Sequence, residues 1–255
     1  MANTVFNHKV IEAKAKDLLT TAVNTRNLMT VDTSLAQTAG MTKTINVYTY
    51  NGEAEELGVG EGNSTRGALT YTGTDYTVKM VQANFDYADE DFMKENTVVD
   101  NGIAGATAIL KNKMNADFVA ECAKATLKVT GALSYDTIVD AIAELNVEDE
   151  SKVFVLIPNE QKAALRKDAD YMAARNGEVV YTGQVGTICG VPVVASKAVT
   201  EAYVMTADAV KLFLKNDIEA ENARNADTRM NEVYIRACYV CALVDATKIC
   251  KIVAA

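Results

Sequence analysis

The chain has 255 residues, 49% of them hydrophobic, enough for one large domain or two smaller ones with real cores. A net charge of -9 and a pI near 4.8 exclude a protein that grips nucleic acid through many phosphate contacts. No apolar run reaches the roughly 18 residues of a membrane span, the N-terminus has no signal-peptide core, and five cysteines read as reduced cytosolic thiols rather than a disulfide framework.

Residues 8–20 have the spacing of a short amphipathic helix, with Val10, Ile11, Ala15, Leu18 and Leu19 on one side. This end is mildly basic: Lys9, Lys14, Lys16 and Arg26 stand against Glu12 and Asp17, the pattern of a solvated helix face. Residues 24–43 are polar and extended in character and predict no core. Residues 44–90 read as a long two-stranded arm. Its first strand, KTINVYTY, alternates Ile45 and Val47 with Thr44, Asn46 and Tyr48; its second is DYTVKMVQANFDYADED. Between them NGEAEELGVGEGNSTRG mixes five glycines with Glu53, Glu55, Glu56 and Glu61, which is a turn composition. The arm is poor in Leu, Ile and Val yet holds five of the eleven tyrosines. A lone hairpin is marginal in water, so this one needs a surface to lie on, and tyrosine suits a surface buried against a partner.

The next segment has the longest helical pattern. Asn96 or Thr97 can cap it, and Ile103, Ala106, Leu110, Met114, Phe118 and Cys122 recur at helical spacing to about Ala125. Gly102 and Gly105 weaken its first turns by about 1 kcal/mol each, which predicts close contact or bending there. Ser134 then caps a helix through Leu145, KVFVLIP is a buried strand, and Asn159 opens a helix, with a second short helix to Ala174. VVYTGQVGTICGVPVVAS reads as strand, turns and strand, and EAYVMT as one more strand. From Ala209 the pattern is strand: AVKLFLK, a polar extended NDIEAENARNADTRMN, and EVYIRACYVCALVDATKICKIV as an apolar hairpin on which the long helix can lie.

No motif for chemistry survives its bland alternative. Cys238 and Cys241 form a CxxC within a β-branched, aromatic run, where positions three apart point to opposite faces, so neither chelation nor a disulfide is natural. A zinc site needs four ligands, and His8 is the single histidine. GVGEGNSTRG and GQVGTICG lack the lysine and the following helix of a phosphate loop and read as turns. Asn63-Ser64-Thr65 is a glycosylation sequon that carries no weight without a secretory signal. Asp86, Asp89, Glu90 and Asp91 stand beside a helix start, where carboxylates complement the dipole. No catalytic residue, cofactor site or metal site is expected.

The order of parts is what is distinctive: a short N-terminal segment, a glycine-tipped hairpin, a long helix, a mixed lobe, and a return through long strands. With VFVLIPNEQKAALRK, GQVGTICGVPVVASKAV and YVMTADAVKLFLKNDIEAENAR, this resembles the tailed-bacteriophage major capsid proteins of the Hong-Kong-97 type, over about residues 5–252. The resemblance implies an α+β fold with an N-arm at 1–43, an extended E-loop hairpin at 44–92, a P-domain spine helix at 93–131, an A-domain at 132–208 and P-domain strands at 209–255. It implies a non-enzymatic shell subunit of the virion, assembled in the host bacterial cytoplasm into hexamers and pentamers around double-stranded DNA. Some forty residues before the hairpin are too few for a built-in scaffolding domain, so the resemblance implies scaffolding that is a separate protein or absent, with portal and decoration proteins as further partners. Candidate intersubunit residues are Glu53, Glu55, Glu56, Glu61 and Arg66 at the arm tip, Tyr71 on the arm, and Arg224 and Arg229, opposed in charge to the tip. The alternatives are an encapsulin-type compartment enclosing an enzyme cargo and, from a different class, a cytosolic α/β enzyme using the acidic cluster or a thiol.

Overall fold

The computed structural model describes residues 8–21, 25–174 and 186–254. The strand expected over 179–185 lies outside them, as do the side chains of Lys9 and Leu19. In chain order the elements are α1 (His8–Thr21), β1 (Thr30–Asp32), β2 (Thr42–Asn51), β3 (Ala68–Thr77), β4 (Lys79–Ala88), α2 (Asp89–Lys94), α3 (Val98–Cys122), β5 (Leu127–Thr130), α4 (Tyr135–Leu145), β6 (Val153–Pro158), α5 (Lys162–Lys167), α6 (Ala169–Ala174), β7 (Thr187–Ile188), β8 (Val191–Ser196), β9 (Ala202–Thr206), β10 (Val210–Asn225), β11 (Met230–Leu243) and β12 (Ile249–Val253). They form a four-stranded sheet in the order β1-β10-β11-β4, a six-stranded sheet in the order β5-β12-β9-β6-β8-β7, and a two-stranded arm of β2 and β3.

The long helix is where the sequence expects it, and all six stripe residues, from Ile103 to Cys122, are buried. They meet Val233, Ile235, Ala237, Tyr239 and Cys241 of β11 in one continuous core. Strand alternation explains which side chains take part, since every second residue of β11 points at the helix. Tyr239 is fully buried and donates its phenol to Asp117 Oδ2 at 3.1 Å, which supplies the partner that a buried hydroxyl needs. β10 keeps its inward parity through two one-residue register shifts against β11, so Ile218 and Ala220 still face the core beyond them.

The same core continues onto the six-stranded sheet. Phe154, Leu156, Tyr203 and Met205 belong to the helix-side cluster, while Val153, Val155, Ile157, Ala202 and Val204 pack on the opposite face under α4. Ser134 caps α4 as the sequence predicts, in a capping box with Thr137.

Three expectations change. The second arm strand is Ala68–Thr77, and the alternating stretch after Val78 is β4, paired with β11 in the four-stranded sheet. Residues 232–253 are not one hairpin: β11 pairs with β10, while β12 crosses to the other sheet between β5 and β9. Residues 24–43 do contribute to the core, through Met29 and Leu35, with β1 parallel to β10.

The two helix glycines also differ. A methyl group at Gly102 would lie 2.4 Å from the Phe85 ring, so that glycine marks a close approach; at Gly105 nothing lies within 4 Å. Gly105→Ala should therefore stabilise the subunit by up to about 1 kcal/mol through helix propensity, and Gly102→Ala should destabilise it by about 1–3 kcal/mol through overpacking. Urea midpoints of the two variants should move in opposite directions.

The thiols divide in the same way. Cys238 packs on the arm-side face of β11 and Cys241 on the helix side, as the spacing requires. Burial pushes Cys241 up to about 12 and Cys250 up to about 11, and Cys122 higher still, while Cys189 is exposed. A thiol reagent at pH 8 should label Cys189 alone in the folded chain and the other four only in denaturant; fast labelling of a second thiol would contradict this packing.

Candidate assembly surface

The arm leaves the body at a narrow base. On its inner face Ile45 joins Leu35, Val78, Phe213, Cys238, Val240 and Ala242 in a separate small core. Lys43 places its ammonium 4.9 Å from the centre of the Phe213 ring, and Lys124 sits 5.4 Å from that of Tyr76. The Tyr76 hydroxyl donates to the Leu243 carbonyl at 3.2 Å, and the Val78 amide to that of Met41 at 2.7 Å. Both arm strands are thus clipped to the body within a few residues of their inner ends.

Beyond that base the arm is bare. From Asn46 to Asp75 every residue is exposed except Glu55, which is half-buried. Ten paired residues span about 34 Å. Register puts Tyr48 opposite Tyr71 and Tyr50 opposite Leu69 on one face, with the first two rings 6.3 Å apart. Tyr48, Tyr50 and Tyr71 are 68%, 64% and 65% exposed. The Tyr50 ring lies across Gly52 and Gly67, where a methyl group would come within 2.4 Å. Val59 stands fully open at the tip and Leu57 is half exposed.

The tip is ordered by polar contacts instead of a core. Glu55 accepts hydrogen bonds from the Ser64 amide at 2.6 Å, the Ser64 hydroxyl at 2.8 Å, the Thr65 amide at 2.7 Å and the Thr65 hydroxyl. Glu61 accepts from the Gly58 amide at 3.2 Å. Two of the four expected tip glutamates are therefore structural. Glu53, Glu56 and Arg66 are exposed and form no ion pair with a described residue.

Arg224 and Arg229 are committed within the chain. They flank the β10–β11 turn and pair with the start of α2: Arg224 with Asp89 at 2.7 Å and Arg229 with Glu90 at 3.0 Å. Asn231 adds a bond to Asp89 at 2.7 Å. The acidic cluster is thus not a purely solvated terminus, because two of its carboxylates tie the turn to the helix layer. The exposed apolar residues Val59, Leu57 and Leu69 were missed from the sequence, where they sit in a glycine-rich stretch without periodicity. Among the described residues no three His, Cys, Asp or Glu side chains are grouped to hold a metal ion, and no helix is long and apolar enough to cross a membrane.

No family model matches the chain. It is 26% identical to the major capsid protein of Staphylococcus phage phiMR11 over 235 residues, which cover 87% of this chain and 84% of that one. The capsid structure of the cyanophage P-SCSP1u superposes with a TM-score of 0.72 at 11% identity, covering 89% of this chain and 86% of that chain. The virus-like particle from Pyrococcus furiosus superposes with a TM-score of 0.67 at 8% identity over 96% and 98% of the two chains. The fold is the Hong-Kong-97-type capsid fold.

The Glu55 clasp makes the tip sensitive to acid. Its four hydroxyl and amide donors hold the carboxyl at about 2, well below its ordinary 4.5. A depressed pKa favours the clasped form above the ordinary value and loses that contribution as pH falls toward the depressed one. Amide-exchange protection at Ser64 and Thr65 should be full at pH 6 and fade between about 4.5 and 2. Glu55→Ala should abolish it at pH 6; unchanged protection in that variant would show that the clasp does not order the tip.

Proposed function

We infer that the chain is a tailed-bacteriophage major capsid protein, a structural subunit that self-assembles into the closed shell enclosing the double-stranded DNA genome. Its place is the virion, reached by assembly in the host bacterium. The observation that carries this is sequence kinship to a phage major capsid protein over 235 residues, on top of the shared fold. The fold alone fits any shell of this type, since the Pyrococcus particle has it too at 8% identity. The sequence relation is what favours a genome shell over a compartment for enzyme cargo.

Within that reading the arm of β2 and β3 is the E-loop, α3 is the spine helix, the six-stranded sheet with α4 to α6 is the A-domain, and β4, β10 and β11 form the P-domain sheet. The subunits group into hexamers and pentamers, with separate scaffolding, portal and decoration proteins as partners. The bare tyrosine face at Tyr48, Tyr50 and Tyr71 lies against a neighbouring subunit, and Glu53, Glu56 and Arg66 meet charges on it. Glu55 and Glu61 act indirectly, by shaping the tip. Arg224 and Arg229 hold the β10–β11 turn rigid, so that this turn can present a fixed edge to neighbours. Partly exposed pairs of this kind are worth about 0–1 kcal/mol each and set register more than affinity.

Deleting Glu53–Arg66 tests this. The tip contributes nothing to any of the cores, so the subunit should keep its circular dichroism and urea midpoint. Closed particles should disappear from electron micrographs. Particles of normal size and yield from the deletion variant would refute the assignment of the arm.

A further inference from the structure

A second concave surface lies away from the arm, where α3 passes the ends of β6 and β8. These strands are parallel and paired from Val155↔Val193 to Pro158↔Ser196, so their carboxyl ends open at the same edge of the sheet. Crevices outside the carboxyl ends of parallel strands are favoured ligand positions, because the chains diverge there and leave polar backbone ends uncovered. Here the helix closes the crevice into a cleft of about 450 Å³, lined by Lys111, Asn112 and Asn115 from α3 and by Asn159, Ser196 and Lys197 from the strand ends. It continues past Asn159 and Lys197 into a hollow of about 330 Å³, where Glu160 is the one carboxylate.

The lining is a donor set for an anion. Lys111, Lys197, Asn112 and Asn159 line one space, and neither lysine forms an ion pair with a described residue. The contrast lies nearby: Lys113 is held by Asp117 at 3.1 Å and Lys124 by Glu121 at 2.6 Å. In a chain of net charge -9, Lys111 of α3 and Lys197 after β8 thus stand without a carboxylate partner among the described residues, beside one cleft. Lysine with amide donors suits the several oxygens of a phosphate.

We propose that this cleft is a phosphate site and that the backbone of the enclosed DNA occupies it. The proposal rests on the shell reading, and it requires the helix layer to face the lumen. Two cations make a weak site. Releasing counterions from about two phosphates gives a slope near -1.8 in log affinity against log salt. Single contacts then exchange freely, and repetition over many subunits holds the polymer, as multivalency allows. A genome held this way can be packed and released, which a strongly basic lining would prevent.

Lysine acylation followed by mass spectrometry tests it on intact particles. Lys111 and Lys197 should react several-fold more slowly in DNA-filled than in DNA-free particles, while Lys94, on α2, reacts equally in both. On the soluble subunit, a short DNA duplex at low salt should protect both lysines, and added salt should remove the protection. Lys111→Gln with Lys197→Gln should weaken duplex binding, read by fluorescence anisotropy, by at least about fivefold. If that variant does not fold, the wild-type footprint still decides. Protection by inorganic phosphate but not by duplex would keep the phosphate site and overturn DNA as its ligand. Equal protection in filled and empty particles would mean that a neighbouring chain's acidic segment covers the cleft, and would overturn the proposal, as would equal reactivity throughout. Absence of particles in electron micrographs would instead overturn the shell reading itself.

Discussion

The contact between the inward stripe of α3 and the two sheets is what the rest of the structure depends on. A helix of 25 residues is long enough to lie on both, and its side chains enter one core together with residues of β11, β6 and β9. Burying side chains such as Leu110, Met114 and Phe118 is worth about 1.5–3 kcal/mol each. That makes the helix a brace packed into the core that both sheets share. The ion pairs at the start of α2 and the Tyr239–Asp117 bond then fix the brace in rotation as well as in position.

The arm follows the opposite logic. It has no core beyond Ile45, and its order comes from the backbone ladder, the Glu55 clasp and a ring lying over two glycines. Such an element is preorganised but not satisfied. Its aromatic face is ordered without being buried, so little ordering entropy would be lost on any contact it makes. At the base, the cation–π contacts of Lys43 and Lys124 add to the small core around Ile45.

How much of this was legible depends on burial. The α3 stripe, the Ser134 cap, the β6 strand and the opposite faces of Cys238 and Cys241 were readable, because half-buried elements write their period into the sequence. The arm's second strand was not. ALTYTGTDYT is exposed on both faces and so carries no alternation, while β4, which does alternate, runs on from it after the single residue Val78. The alternation of β4 therefore reads as a continuation of the arm. The β11–β12 error has a similar source: both strands are apolar, and the short 3-10 turn at Ala246–Lys248 that redirects the chain to another sheet has no strong turn signal. Of the site, the glutamate-rich tip and the tyrosines were visible, but which glutamates fold the tip and which remain free depends on loop geometry that composition does not encode.

The path of β12 has a consequence for synthesis. It is an interior strand of the six-stranded sheet, between β5 and β9, yet it is made long after both of them. The growing chain cannot complete that sheet until β12 has been made; until then β9 pairs on one side only, with β6, and β5 lacks its partner strand. Non-local pairing of this kind folds late and leaves partial chains prone to degradation or aggregation. A polypeptide that stops before β12 thus lacks the strand that joins β5 to the rest of its sheet.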